Sequence, residues 1–190
     1  DEHLLQAIGV LAEVDRGGLG DEHPLTHEIL PDIKDKTVLY VALFLHDIAK
    51  AGGIAGHAER GVPIAEVVLE RLGFDARERE VAAAVIRHHL IMGIYWQRHD
   101  VDDPANIERF ASIVGDEQVL RSLYVHTRCD ARATSPDLWT SFKDGQHGTL
   151  YRRTLAKLAG KSEAEAEVAA TALREQTAEL LAGTVPADEL

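Results

Sequence analysis

Cysteine is almost absent from this sequence. A single one, Cys129, occurs in 190 residues. A disulfide-stapled scaffold needs cysteines in pairs, so that class is excluded. Aromatic residues make up only 5% of the chain, and methionine occurs once. Alternating β-branched stretches are rare, which leaves little from which to build a sheet. Long hydrophobic runs are missing too. The longest, Val38 to Leu45, has eight residues, and a membrane span needs about 18 or more. No charged-then-apolar signal segment opens the chain. Basic charge is also short: 20 Lys and Arg stand against 32 Asp and Glu, for a net charge of −12. A nucleic-acid polymer calls for a basic face, so it is not the expected partner, and neither is a membrane. A cytoplasmic protein of a reducing compartment is the expectation that remains.

Hydrophobic residues are 45% of the chain, enough for a real core. One compact domain over residues 1–190 is natural at this length. Ala, Leu, Glu and Arg dominate, and these are good helix formers. An all-α helical bundle is therefore expected. The first helix runs from about Glu2 to Val14, before Gly17, Gly18 and Gly20. A polar loop from Asp21 to Asp35 follows, with Pro24 and Pro31. The nearly continuous apolar pattern from Lys36 to Lys50 predicts a buried central helix. After the small-residue loop 51–56, a third helix is expected from His57 to Leu72, starting nearer Val62 if Pro63 marks its opening turn. Asp75 fits the N-cap of a fourth helix that ends near Leu90. A fifth opens at Asp103-Pro104 and stops at Gly115. The sixth covers Glu117 to Arg132, and Pro136 is expected to open a seventh. A last Ala/Glu-rich helix is expected within residues 160–184, opened by the Ser162-x-x-Glu165 capping box.

Ten histidines are the unusual feature of so acidic a chain. His3, His46-Asp47, His57, His88-His89 and Asp130 fall late or early on separate expected helices, and all are good ligand types for a divalent ion. His46-Asp47 is the most informative pair. It ends the apolar run Val41-Ala42-Leu43-Phe44-Leu45, where desolvating an imidazole and a carboxylate is costly unless they are paired or metal-bound. His88-His89 repeats this pattern after Val81 to Ile86. Taken alone, each site also has an ordinary explanation: a hydrogen-bonded His–Asp pair, an unliganded histidine, or a capping aspartate.

One template accounts for the whole order. The pattern H…HD…H…HH…D, with Leu43-Phe44-Leu45-His46-Asp47-Ile48-Ala49-Lys50 at its centre, resembles the HD-domain metal-dependent phosphohydrolases. Within them the chain is most similar to the uridylyl-removing HD domain of bifunctional PII uridylyltransferases. The stretches that carry this likeness are Asp1-Glu2-His3-Leu4, Glu22-His23-Pro24-Leu25, His46-Asp47-Ile48-Ala49-Lys50, Arg87-His88-His89-Leu90, Asp102-Asp103-Pro104, Cys129-Asp130-Ala131-Arg132-Ala133-Thr134, and Trp139 followed by Lys143. Together they span about residues 1–155. Two segments depart from the family pattern. Loop 51–56 is one residue longer and lacks its basic residue, and segment 143–148 is less apolar.

The resemblance implies a single helical HD domain with a metal site between its helices. It implies that His3, His46, Asp47 and Asp130 hold one divalent ion, and that His57, His88 and His89 extend the site to a second. Mn, Fe, Mg, Zn, Co and Ni are all compatible with such ligands. Asp47, Lys50, His88 and His89 are the implied catalytic groups, with Lys50, Arg87 and Arg132 toward the substrate phosphate. The implied reaction is phosphodiester hydrolysis that removes UMP from a uridylylated tyrosine of a PII-type protein. The alternatives are a phosphohydrolase of a free nucleotide or cyclic dinucleotide, and a non-catalytic sensor module. The missing nucleotidyltransferase and ACT regions, with a ligand only three residues from the start, lead to the expectation of a piece of a longer protein. Of the other histidines, His23, His27 and His99 are expected at the surface or behind the site. His126, on the same helical face as Asp130, is expected to be packed, with support behind the metal site as the alternative, and His147 has no assigned role.

Overall fold

The computed structural model describes residues 2–20 and 22–160. Within them lie nine α-helices and no strand. They are α1 (Glu2–Asp15), α2 (Pro24–Ile29), α3 (Lys36–Leu45), α4 (His57–Arg71), α5 (Ala76–His88), α6 (Ile91–Arg98), α7 (Pro104–Val114), α8 (Glu117–Thr134) and α9 (Ser141–Leu158). The last helix read from the sequence, within 160–184, lies outside the described residues.

Local chemistry sets most of the boundaries. The Asp35 carboxylate accepts from the backbone N–H groups of Thr37 and Val38 and so opens α3. Asp75 and Glu78 form a reciprocal capping box on α5, which satisfies two N–H groups that a helix start leaves free. Asp103 caps α7 by accepting from the Ala105 N–H, and Asp116 caps α8 by accepting from the N–H groups of Gln118 and Val119. Gly115 closes α7 at φ 72°, a left-handed conformation that glycine adopts without penalty.

Helices α1, α3, α5 and α8 pack on one another around one core. Leu11, Leu39, Leu43, Ile86, Leu120 and Leu123 are fully buried there. α8 packs against α1, α5 and α9. These four helices and their C-terminal ends carry most of the histidine and aspartate positions singled out in the sequence, and α4 carries His57.

The structure corrects several sequence expectations. α3 stops at Leu45 rather than running to Lys50, and His46 is its C-cap. Beyond it the chain tightens, with Ile48 N–H donating to Leu45 O and Lys50 N–H to Asp47 O. The apolar Ile48 and Ala49 continue the helical pattern and so hide this end. Burial of α3 is also one-sided, since Phe44 is 48% exposed. The expected loop 21–35 contains α2, which Pro24 opens at its first position, where a missing N–H costs nothing. α4 starts at His57, with Pro63 inside it. α6 has no counterpart in the sequence reading, because no Gly or Pro separates it from α5. Pro136 opens only a short 3₁₀ turn, and Thr140 caps α9 instead. α9 runs through Gly145 and Gly148. At Gly148 a Cβ would lie 3.2 Å from Arg152 Nη1 and 3.5 Å from Leu25 Cδ2, so a bare backbone suits that contact.

Two structural histidines give the fold a pH dependence. His23 contacts Arg128, whose guanidinium lies 4.0 Å from the Trp139 ring centre. His147 stacks on Trp139 at 4.3 Å and accepts from Trp96 Nε1 at 3.2 Å. Burial, with the Arg128 charge adding to it, pushes the pKa of each from 6.5 down to about 4. The unfolded chain therefore binds more protons than the folded one between about pH 6.5 and 4, and stability falls as pH falls through that window. One pKa unit corresponds to about 1.4 kcal/mol. Thermal melts of metal-free protein are expected to lose several degrees between pH 7 and pH 4.5. A Tm that stays flat over this range would contradict the burial of both rings as neutral groups.

Candidate metal centre

Helices α1, α4 and α8, the C-cap residues of α3 and α5, and the turn after α3 deliver side chains to a single place. His3, on the first turn of α1, puts Nε2 2.8 Å from Asp130 Oδ1 on α8. His46 Nε2 lies 3.5 Å from that same oxygen and 3.5 Å from Asp47 Oδ2. Asp47 Oδ1 is 3.0 Å from His57 Nε2. His57 Nε2 is 3.1 Å from His89 Nε2. Two trios follow, His3–His46–Asp130 and His46–Asp47–His89, each with its donor atoms within 4.8 Å of one another. His46 belongs to both.

The imidazoles are held by their own backbone. Nδ1 of His46, His57 and His89 each lies 2.7 Å from a carbonyl oxygen three residues earlier, on Leu43, Ile54 and Ile86. A carbonyl only accepts, so Nδ1 carries the proton and Nε2 of the neutral ring keeps its lone pair. This anchoring fixes ring orientation and raises ligand basicity in metal sites. It also sets Nε2 of His57 and His89 facing each other at 3.1 Å, lone pair to lone pair when both rings are neutral. A cation shared between them removes that repulsion. Donors about 2.1 Å from one ion, in octahedral or tetrahedral positions, stand about 3.0–3.4 Å apart. The observed spacings of 2.8 to 3.5 Å fit such a shell. The donor set of imidazole and carboxylate therefore suits a divalent transition ion.

The site has a buried floor and an open mouth. His46, His57 and His89 are at most 4% exposed. His3 and Asp130 are partly open, and Lys50 at the rim is about half exposed. Burial holds His89 at about 4, so its ring is neutral at pH 7. For Asp47 burial acts upward, but the hydrogen bond from Lys50 and the charges around it outweigh that and hold the carboxyl below its usual range. Lys50 Nζ sits 2.8 Å from Asp47 Oδ2.

Not every expected residue joins the cluster. His88 stands apart, against the expectation that both members of the doublet face the site. Adjacent residues at a helix end point about 100° apart, and only His89 turns inward. Burial and the neighbouring Arg87 charge lower the His88 pKa. Arg87 is exposed. Arg132 is engaged by Glu22, with Nη2 3.1 Å from the carboxylate, so a place beside a phosphate would need that pair to open.

Two features go beyond the leading sequence expectations. The loop that lacks a basic residue receives one from α4. Arg60 donates to the carbonyls of Gly53 and Ala55, on either side of the Ile54 carbonyl that orients His57. Its place one turn after His57 was the available signal. The second is His126, which lies among the site imidazoles rather than in purely apolar packing. Segment 143–148 proves to be the opening of α9, where His147 packs on Trp96 and Trp139.

A model of the HD domain matches residues 2–126. This chain belongs to the HD-domain family. Among its curated relatives are bifunctional uridylyltransferase/uridylyl-removing enzymes. That of Caulobacter vibrioides is 37% identical over 179 residues, which is 94% of this chain and 19% of the relative. Those of Phenylobacterium zucineum and Cereibacter sphaeroides are 38% and 39% identical, over 94% and 92% of this chain. The chain spans 19% of the length of these relatives. HD domains are metal-dependent, and membership of this family together with the uridylyl-removing relatives makes the chain a phosphohydrolase, with His and Asp groups that could hold a metal ion. Among the described residues no helix is long and apolar enough to cross a membrane.

Proposed function

We propose that this HD domain removes UMP from a uridylylated tyrosine of a PII-type signalling protein in the cytoplasm. The observation that carries the chemistry is the set of carbonyl-anchored imidazoles that converge with Asp47 and Asp130. The substrate class is supported by the similarity to enzymes named for uridylyl removal. When bound, one divalent ion or a pair supplies a water activated at neutral pH and charge neutralisation at the phosphoryl group. The chain's own residues do the remaining work. His3, His46, His57, His89, Asp47 and Asp130 hold that group. Asp47 is ionised and reaches His46, His57 and Lys50, so it is placed to orient the attacking water and take its proton. Lys50 at the mouth turns from Asp47 to a non-bridging phosphate oxygen. The bond from phosphorus to the tyrosine oxygen breaks as the water oxygen bonds to phosphorus. The proton ends on the phenolate. A phenol with pKa about 10 leaves with little acid help, which agrees with His88 standing outside the cluster.

The test is release of UMP, followed by chromatography, from uridylylated PII protein incubated with the metal-loaded chain. Free nucleotides and cyclic dinucleotides are run beside it. Faster cleavage of the protein-bound ester is expected. Hydrolysis of the small substrates with no release from PII would overturn the substrate assignment.

A further inference from the structure

We propose that His126 is a further imidazole ligand of this centre, and that it biases the centre toward ions that prefer nitrogen, such as Co, Ni, Zn and Fe, over Mg. The inference rests on the metal-centre reading above.

His126 is four residues before Asp130 on α8, a spacing that puts two side chains on one helical face. Its side chain is 0% exposed. Neither ring nitrogen has a hydrogen-bond partner among the described residues. A buried polar atom left unpaired costs about 1–3 kcal/mol. The neighbours Leu120, Leu123 and Val125 are apolar and fully buried, so a leucine would fill this position without that cost. The ring does not rest on apolar surface alone. It stands perpendicular to His46 with centroids 4.8 Å apart, and 5.8 Å from His89. Ring centroids within the cluster are 5.0 Å apart for His46–His89 and 5.9 Å for His3–His46, and His126 stands beside the two donor trios rather than within either. A further imidazole shifts the donor set away from carboxylate, and imidazole favours Zn, Fe, Co and Ni whereas carboxylate and water favour Mg.

The experiment compares metal-free wild type, His126→Leu, His126→Asn and His46→Ala. Cobalt(II) and magnesium are titrated calorimetrically, and the visible spectrum of the cobalt protein is recorded. His126→Leu is expected to bind cobalt at least tenfold more weakly, with altered d–d bands and unchanged magnesium affinity. Its metal-free form is expected to melt no lower than metal-free wild type. His126→Asn, which keeps a polar side chain but is too short to reach the centre, is expected to match it in cobalt affinity. Wild-type cobalt affinity and spectrum in both His126 variants, with binding lost in His46→Ala, would overturn this proposal alone. No cobalt binding by wild type would overturn the metal-centre reading and this proposal with it.

Discussion

His46→Ala and Asp47→Ala are each expected to lower turnover of bis(p-nitrophenyl) phosphate by about 10³-fold or more. His46 is the residue common to both donor trios, so its loss breaks both at once. Asp47 joins the two halves of the site, since one carboxylate oxygen faces His57 and the other faces His46 and Lys50. Neither variant is expected to collapse the fold. Removing Asp47 leaves a half-exposed Lys50 that water can solvate, and removing His46 also removes a crowded polar group from the floor. Far-UV circular dichroism checks this. His88→Ala serves as the contrast, because His88 stands outside the cluster, and its turnover is expected to stay within a few-fold of wild type. The quantity to measure is kcat at saturating metal. Wild-type kcat in both His46→Ala and Asp47→Ala would remove the site from the reaction.

The second large effect is on stability. A ligand that binds only the folded chain stabilises it by about 4 kcal/mol at a thousand times its Kd. For a chain of this size about 1 kcal/mol moves Tm by 2–4 °C, so saturating metal is expected to raise Tm by about 8–16 °C. The Nε2 atoms of His57 and His89 that face each other at 3.1 Å give this gain a structural origin. A chelator is expected to reverse it, and His46→Ala to abolish most of it. Differential scanning calorimetry with and without metal makes the measurement. A Tm that metal leaves unchanged would contradict the account.

Much of this was legible in the residues. The helical class followed from composition, and Asp75, Asp103 and Gly115 marked ends that the structure places where they were read. The histidine and aspartate order pointed to positions that the fold brings together from α1, the end of α3, α4, the end of α5 and α8. What stayed hidden was decided by tertiary geometry. The end of α3 at Leu45 was masked because Ile48 and Ala49 keep the apolar rhythm. Which of His88 and His89 turns inward depends on how α5 packs against its neighbours, and two adjacent identical residues carry no signal for that. Arg60 reaches back to the loop through space. His126 looks like a packed histidine until its neighbours are seen to be the other imidazoles. The break between α5 and α6 has no Gly or Pro to announce it, although Met92 and Tyr95 were available as buried positions three residues apart.

The most direct test is a crystal of the metal-loaded chain with diffraction recorded on either side of the metal absorption edge. The account predicts an anomalous peak bound by Nε2 of His46 and by the carboxylates of Asp47 and Asp130, with His3, His57 and His89 completing the shell of one ion or two. A metal-saturated crystal with no peak among these residues, and the His57–His89 contact unchanged, would contradict it.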